Sequence, residues 1–207
     1  MEFLAIIGAG GHGKICAAVA ETLGWQVAFY DKAFPNVKSC GKWDVKGNEE
    51  DLINNKKNIG TIFIAIGNNK IRELKQLELA SLGFSFTSLV SPNATVHADV
   101  HIGNGVIVVD NACINIDSFI GDGCIVNTGA NIDHDCHLSA FSHVCPGANL
   151  AGEVKIGSRT WIGIGSSIIQ QINIGQDVLI GAGTSVINNI PDKVTVVGCP
   201  GRILNKE

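Results

Sequence analysis

The sequence is poor in aromatic and charged residues. Aromatic residues make up 6% of the 207 residues and charged residues 16%, and there is a single tyrosine. Hydrophobic residues, at 45%, are too abundant for an intrinsically disordered chain. The formal net charge of −4 provides no overall attraction for nucleic acid. The 25 glycines indicate many tight turns rather than a sandwich rich in aromatic residues.

Signals for membrane insertion and export are also missing. No apolar run approaches the roughly 20 residues that a membrane-spanning helix needs. The first eight residues lack the basic segment and the length of a signal peptide. Seven cysteines without a CxxC pair favour reduced thiols over a disulfide framework; they are residues 16, 40, 113, 124, 136, 145 and 199. We therefore expect a soluble, cytoplasmic protein.

A six-residue repeat of aliphatic residues dominates the second half of the chain. A helix repeats every 3.6 residues and a strand every 2, so neither explains this spacing. A period of six is typical of a parallel β-helix, in which each hexapeptide forms one face of a triangular prism. We predict this fold for residues 89–207. The repeated Val, Ile or Leu positions are 90, 96, 102, 108, 114, 120, 126, 132, 138, 144, 150, 156, 162, 168, 174, 180 and 186.

Two further positions of the repeat support the prism. Small residues lie two positions before most of the aliphatic sites, as the narrow inner corners of a prism require. These residues are Ala94, Ala112, Ser118, Cys124, Ala130, Cys136, Ser142, Ala148, Thr160, Ser166 and Thr184. Glycine follows the aliphatic residue at positions 103, 121, 157, 163, 175 and 181. We expect these glycines to adopt the backbone angles that a turn needs.

Residues 1–88 alternate between strand and helix patterns. Such alternation is typical of a parallel sheet with right-handed crossovers, so we predict a small, Rossmann-like α/β domain that binds a nucleotide-sugar. The predicted strands are Phe3–Ile7, Trp25–Tyr30 and Thr61–Ile66, and the predicted helices are Lys14–Leu23 and Ile71–Leu82.

A glycine-rich turn follows the first strand. Gly8, Gly10 and Gly13 satisfy G-x-G-x-x-G, and Asp31 follows the second strand roughly where dinucleotide-binding domains place a ribose-binding acid. A dinucleotide also needs a second nucleotide-binding half, which this short domain lacks. One nucleotide, or a nucleotide-linked sugar, needs only the backbone N–H groups of this turn and helix start. The alternative interpretation is a tight turn without a ligand.

The most polar segment of the repeat is Asn131-Ile132-Asp133-His134-Asp135-Cys136-His137. His134 comes two positions after an inward aliphatic residue, so its side chain should project outward. Asp133 or Asp135 could hydrogen-bond its Nδ1, which would fix the tautomer and raise the basicity of the ring. Such a histidine suits a general base, although a single surface histidine at a solvated edge would otherwise be the simpler interpretation.

The other histidines of the repeat are weaker candidates. We expect His97 and His101 to be surface residues, and His137 has no clear role. His143 comes nine residues after His134 and so faces another side of the prism. Two histidines on different sides could converge across a trimer interface, which would permit either acyl-donor binding or metal binding.

The whole chain resembles the hexapeptide-repeat sugar acetyltransferases of the sialic acid O-acetyltransferase and UDP-4-amino-sugar N-acetyltransferase group. The resemblance implies that the β-helix is left-handed, that it carries the acyltransferase site, and that three copies assemble into a homotrimer. The segments that carry it are Gly8–Lys14, Ala65–Asn69, His134–Asp135, Phe141–Val144, Ala151–Gly152 and Val197–Pro200.

The resemblance also implies roles for individual residues. His134 would be the general base, and Asp135, often Glu in the family, would raise its basicity. The residues expected to contact the nucleotide-sugar are His12, Gly13, Lys14, Asp31, Lys32 and Gly67, with Asn127 near the acceptor group. The residues expected to line the acetyl-CoA site are His143, Ile164 and Ala182.

The implied reaction is direct transfer from acetyl-CoA to the 4-amino group of a nucleotide-linked sugar, of the UDP-linked bacillosamine type, for bacterial surface glycans or protein glycosylation. His134 would take a proton as the amine attacks the thioester, and no metal is required. The alternatives are O-acetylation of sialic acid, a zinc hydratase of the γ-carbonic anhydrase type, and a non-catalytic nucleotide-sugar sensor. The sequence does not determine whether the nucleotide of the acceptor is UDP or GDP, or whether the acceptor group is an amine or a hydroxyl.

Overall fold

The computed structural model describes residues 2–204. The chain divides into two compact units, Met1–Ser91 and Pro92–Glu207. None of the helices in residues 2–204 is long and apolar enough to cross a membrane. All seven cysteines fall within the described part of the chain, and none of them forms a disulfide bond.

The first unit is a five-stranded sheet flanked by helices. Its elements are β1 (Phe3–Ile7), α1 (Gly11–Thr22), β2 (Gln26–Tyr30), β3 (Ser39–Cys40), β4 (Trp43–Gly47), α2 (Glu49–Asn54), a 3₁₀ turn (Lys56–Asn58), β5 (Thr61–Ile64), α3 (Asn69–Ser81) and β6 (Leu89–Val90). The order in the sheet is β3-β4-β2-β1-β5, and only the β3–β4 pair is antiparallel. The strand order reverses at β1, and ligands of open α/β sheets bind at the carboxyl ends of the strands beside such a reversal.

The predicted strands and helices of this unit are confirmed, with shifted bounds. The helix α1 begins three residues before the expected start, because Gly11, His12 and Gly13 form its first turn. The helix α3 begins two residues early, because the side chain of Asn68 caps it by accepting from the N–H of Ile71. The sequence patterns missed β3, β4 and α2. Each of these is only two to six residues long, although α2 carries a capping box formed by Asn48 and Asp51.

The second unit is a left-handed parallel β-helix, as expected. Its strands are β7 (Thr95–Val96), β8 (His101–Ile102), β9 (Ile107–Val108), β10 (Cys113–Ile114), β11 (Phe119–Ile120), β12 (Ile125–Val126), β13 (Asn131–Ile132), β14 (His137–Leu138), β15 (His143–Val144), β16 (Asn149–Leu150), β17 (Lys155–Ile156), β18 (Trp161–Ile162), β19 (Ser167–Ile168), β20 (Asn173–Ile174), β21 (Leu179–Ile180), β22 (Ser185–Val186), β23 (Thr195–Val197) and β24 (Arg202–Ile203).

These strands form the three faces of the prism. Face 1 is β7-β10-β13-β16-β19-β22, face 2 is β8-β11-β14-β17-β20, and face 3 contains β9-β12-β15-β18-β21-β23-β24. Residues that are 18 positions apart pair in parallel, as Cys113 does with Asn131. Every repeated aliphatic position from Val108 to Val186 is buried, and so is the residue two positions before each of them, from Ala112 onwards. The hexapeptide interpretation is therefore confirmed strand by strand.

The glycines that follow the aliphatic residues have a different role from the expected one. None of the six has a positive φ, so the expectation that they provide the turn conformation is wrong. A Cβ on Gly121 would lie 2.7 Å from the backbone nitrogen of Ala140 in the next coil, which leaves no room for a side chain. The left-handed residue comes two positions later, as at Gly123 (φ 61°) and Asp135 (φ 58°).

Candidate active site

His134 lies on the edge of the prism between face 1 and face 2. Its side chain is half exposed, and its Nδ1 is 2.8 Å from Oδ2 of Asp135. A carboxylate only accepts, so Nδ1 carries the proton in the neutral ring and Nε2 is left as the proton acceptor. The hydrogen bond to Asp135 is the main reason why the pKa of His134 is raised. The ring therefore has the tautomer and the basicity of a general base.

Asp133 fixes the backbone of the same turn rather than the ring. Its Oδ1 accepts from the backbone N–H of His134 at 2.9 Å and from Nδ2 of Asn115, one coil earlier, at 2.9 Å. The bond from Asn115, followed by the backbone bond, lowers the pKa of the Asp133 carboxyl. The two acids beside His134 thus have separate roles, a distinction that the sequence did not resolve.

A buried hydroxyl joins the two ends of this turn. Ser118 Oγ donates to the carbonyl of Asp133 at 2.9 Å and accepts from the N–H of Cys136 at 3.2 Å. Thr160 holds the turn from Gly175 to Val178 in the same way, at 2.6 and 3.1 Å. An inward Ser or Thr of one coil can therefore fix the turn of the next.

Gly152 leaves the space that the ring of His134 occupies. It follows His134 by one coil on the same edge, and a Cβ there would lie 2.5 Å from Cε1 and 2.6 Å from Nε2 of the imidazole. Any side chain at this position would therefore displace the ring. Gly152 belongs to a segment that carries the family resemblance, and its 18-residue spacing from His134 is the signal that could have predicted this role.

The residues expected at the acetyl-CoA site lie on and beside face 3. His143 is buried, its Nε2 is 3.1 Å from Nδ2 of Asn127, and its ring meets Trp161 edge-on with the ring centroids 4.3 Å apart. Ile164 and Ala182 are exposed and stack on the edge between face 3 and face 1. Within one chain, these residues and His134 therefore occupy different edges of the prism.

The remaining histidines of the β-helix are exposed. The rings of His101, Phe119 and His137 stack on face 2, with successive ring centroids 4.6 and 4.7 Å apart. The Nδ1 of His97 is 3.4 Å from Oδ2 of Asp99. Among residues 2–204, no group of three or more His, Cys, Asp or Glu side chains is arranged to hold a metal ion.

A cavity of about 300 Å³ opens at the carboxyl ends of the parallel strands in the first unit. Its walls include Gly8, Tyr30, Asp31, Lys32, Ile66 and Lys75. Asp31 binds the backbone with both carboxylate oxygens, since Oδ2 accepts from the N–H of Ala9 at 2.7 Å and Oδ1 from that of Ala33 at 2.8 Å. It therefore ties the glycine turn to the loop after β2, in addition to any contact with a ligand.

The other expected residues of the glycine turn differ in their surroundings. Gly13 is buried, and a Cβ there would overlap the carbonyl of Gly8 and lie 3.0 Å from the ring of Phe29, so its first role is to let α1 approach the sheet. His12 is partly buried, and burial, followed by the charge of Arg72, lowers its pKa to about 4. Lys14 is exposed. No side chain caps α1, so its N-terminus suits an anion.

Gly67 belongs to a loop that a buried arginine holds. Arg72 Nη1 donates to the carbonyls of Ile66 at 2.8 Å and Gly67 at 3.1 Å, while Nη2 donates to Oδ1 of Asn69 at 2.8 Å. The sequence alone does not predict this role for Arg72, because a charged residue in an amphipathic helix is expected to be exposed.

Comparison with known proteins extends over the full chain. Residues 3–78 match the family described as the PglD N-terminal domain. The chain is 35% identical to perosamine N-acetyltransferase from Caulobacter crescentus, solved with CoA and GDP-perosamine, with 100% of this chain and 98% of that one covered and a TM-score of 0.96.

Two further solved structures are similar over their whole length. The acetyltransferase domain of PglB from Neisseria gonorrhoeae, solved with acetyl coenzyme A, is 40% identical with a TM-score of 0.94, and 98% of this chain and 99% of that one are covered. WeeI from Acinetobacter baumannii is 28% identical with a TM-score of 0.91, and the coverage is 99% and 100%. These identities show that the chain belongs to the hexapeptide-repeat sugar acetyltransferases with a PglD-type N-terminal domain.

Proposed function

We propose that the protein transfers the acetyl group of acetyl-CoA to the 4-amino group of a nucleotide-linked sugar. The His134–Asp135 pair carries this proposal, because it presents an accessible basic nitrogen on the wall of the β-helix. The ligands of the Caulobacter and Neisseria relatives, CoA with GDP-perosamine and acetyl coenzyme A, support the choice of substrates.

The chemistry follows from the protonation state of the ring. The amine attacks the thioester carbonyl with its lone pair, and Nε2 of His134 takes the proton that the amine loses. The C–S bond of the tetrahedral oxyanion then breaks, and the imidazolium returns the proton to the departing thiolate. The Asp135 carboxylate stabilises the imidazolium in between. General-base catalysis contributes typically about 10²–10⁴-fold, and the positioning of both substrates adds to it.

The first unit, taken as residues 1–88, binds the nucleotide part of the acceptor in this proposal. Its cavity, its uncapped helix N-terminus and the exposed Lys14 form a site suited to a sugar nucleotide. His12, Gly13, Asp31, Lys32 and Gly67 complete this site, and Asn127 of the acyltransferase domain, residues 89–207, lies near the acceptor amine.

A homotrimer is part of the proposal. His134 lies on one edge of the prism, whereas the acetyl-CoA residues His143, Ile164 and Ala182 lie on or beside another. A closed ring of three copies can place the first edge of one copy against the second edge of its neighbour. Sedimentation analysis should then give three times the mass of the chain, and a monomer that is fully active would contradict this arrangement.

The proposed setting is the cytoplasm of a bacterium, in the synthesis of surface glycans or glycoproteins. Seven free thiols suit a reducing compartment, which is also where acetyl-CoA is available. Fractionation of the native cells should place the protein with the cytoplasmic enzymes.

The test is an assay of thiol release from acetyl-CoA, with product mass, on UDP- and GDP-linked 4-amino sugars and on free sialic acid. We expect an increase of one acetyl group on a nucleotide-linked amino sugar and almost none with His134→Ala. Acetylation of sialic acid alone would contradict the proposed acceptor. Thiol release that His134→Ala leaves unchanged would contradict the proposed mechanism.

A further inference from the structure

The first unit contains a buried positive charge that the proposed chemistry does not use. Arg72 is 1% exposed, and its guanidinium donates to two backbone carbonyls and one side-chain amide. A buried charge is costly to remove from water unless hydrogen bonds compensate for it. Proteins otherwise place Arg at the surface, so this position calls for a role.

The loop that Arg72 holds supports the glycine turn. Gly8 has a φ of +104°, and a Cβ there would lie 3.0 Å from the carbonyl oxygen of Ala65 and 3.3 Å from Cγ1 of Ile66. The two loops therefore touch, and both Gly8 and Ile66 line the cavity at the carboxyl ends of the strands. By fixing the carbonyls of Ile66 and Gly67, Arg72 determines where this wall of the cavity lies.

The charge of Arg72 also reaches the first turn of α1. The pKa of His12 falls to about 4, mainly through burial and also through Arg72, so His12 is uncharged near neutral pH. Cys16, whose Sγ is 3.6 Å from Nε2 of His12, has its pKa raised by burial and carries no charge either. Lys14 and Lys32 are solvent-accessible, where water weakens their effect, whereas a buried charge acts through a medium of lower dielectric constant.

We propose that Arg72 is a positioning residue of the nucleotide site. It fixes the Ile66–Gly67 loop against the glycine turn, and its permanent charge makes the site prefer a nucleoside diphosphate to a monophosphate. This inference rests on the proposed binding of a nucleotide-sugar by the first unit.

The sharpest test neutralises the charge without removing the guanidinium. Asn69→Asp puts a carboxylate against Nη2 of Arg72, in the first turn of α3, where the helix dipole favours a negative charge and folding should be preserved. Asn58→Asp is the matched control, since it makes the same change at an exposed position of the same unit. Arg72→Gln and Arg72→Lys separate the charge from the geometry of the guanidinium, and thermal unfolding reports on their stability.

The measurement is calorimetric titration of each full-length protein with UDP, UMP, GDP and GMP. For the base that the wild type binds, we expect Asn69→Asp to weaken the diphosphate about tenfold, as one nearby charge would, and the monophosphate clearly less. Arg72→Gln should also weaken the diphosphate more than the monophosphate. It should raise KM for the nucleotide-sugar more than it lowers kcat. Arg72→Lys should keep the preference for diphosphate at a lower affinity, and Asn58→Asp should match the wild type.

Two outcomes would overturn the inference, and they are distinguishable. Equal losses for mono- and diphosphate, or an unchanged diphosphate affinity in Asn69→Asp, would contradict the role of Arg72 while leaving the nucleotide site intact. A wild-type protein that binds neither UDP nor GDP would contradict the proposed function of the first unit, and with it the role of Arg72.

Discussion

In the first unit the candidate site is made of loops that follow parallel strands, whereas in the β-helix it is made of turns that stack every 18 residues. The loops depend on contacts between distant parts of the sequence, such as Asp31 with Ala9 and Gly8 with Ala65. The turn of His134 depends on its neighbours in adjacent coils, Asn115, Ser118 and Gly152. Substitutions in the β-helix should therefore affect catalysis through one coil at a time and leave nucleotide binding unchanged.

The largest expected effect comes from removing the base. His134→Ala should lower kcat about 10²–10⁴-fold, because no other group would take the proton, while the Kd of the nucleotide stays at the wild-type value. The matched control is His97→Ala, which removes another exposed histidine beside an aspartate of the β-helix. Steady-state kinetics and calorimetry check both variants. A parallel loss of nucleotide affinity would show that the two sites are not independent.

A smaller loss should follow when the ring is displaced rather than removed. Gly152→Ala places a methyl group where the imidazole lies, and a shift of about 1 Å in a catalytic group can cost about 100-fold in rate. Gly60→Ala is the control, because a Cβ there meets no atom within 4 Å. A kcat in Gly152→Ala equal to that of the wild type would show that the ring does not need this space.

Removing the Asp135 carboxylate should lower kcat about tenfold, and the effect should be clearest in the pH profile of kcat. The base is active when unprotonated, so kcat rises as pH passes upward through the pKa of His134, which Asp135 raises. Asp135→Asn should move this midpoint to lower pH and reduce the plateau. The backbone should persist, because Asn tolerates a positive φ. Asp117→Asn, at the same turn position one coil earlier, is the control, and an equal shift there would contradict the pairing.

The smallest catalytic effect should come from the hydroxyls inside the prism. Ser118→Ala and Thr160→Val each remove two hydrogen bonds from a turn, so each should lower the free energy of unfolding by about 1–3 kcal/mol. Only Ser118→Ala should also lower kcat, by a few fold, because only its turn carries the base. Denaturant unfolding and kinetics together check this pair. A kcat in Ser118→Ala equal to that in Thr160→Val would show that His134 does not depend on Ser118.

The β-helix was predictable because every sixth residue meets the same physical requirement, an aliphatic side chain in a narrow interior. The role of the glycines was not predictable from the sequence, since the close approach at Gly121 involves the backbone of Ala140 in the next coil. The choice between Asp133 and Asp135 depends on Asn115 and on the left-handed backbone of Asp135, neither of which is visible in the local sequence. Arg72 was missed because its burial depends on how α3 packs.

Because residues 18 positions apart stack, the face or edge of the prism that a residue occupies depends on the number of hexapeptides that precede it. A loss or gain of one hexapeptide between His134 and Ile164 would carry every later residue to the next face of the prism and move Ile164 and Ala182 to a different edge. A change of three hexapeptides would keep every residue on its edge and alter only its height along the axis. Length variation in this family should therefore be tolerated in whole coils, with single hexapeptides confined to the segments beyond the site.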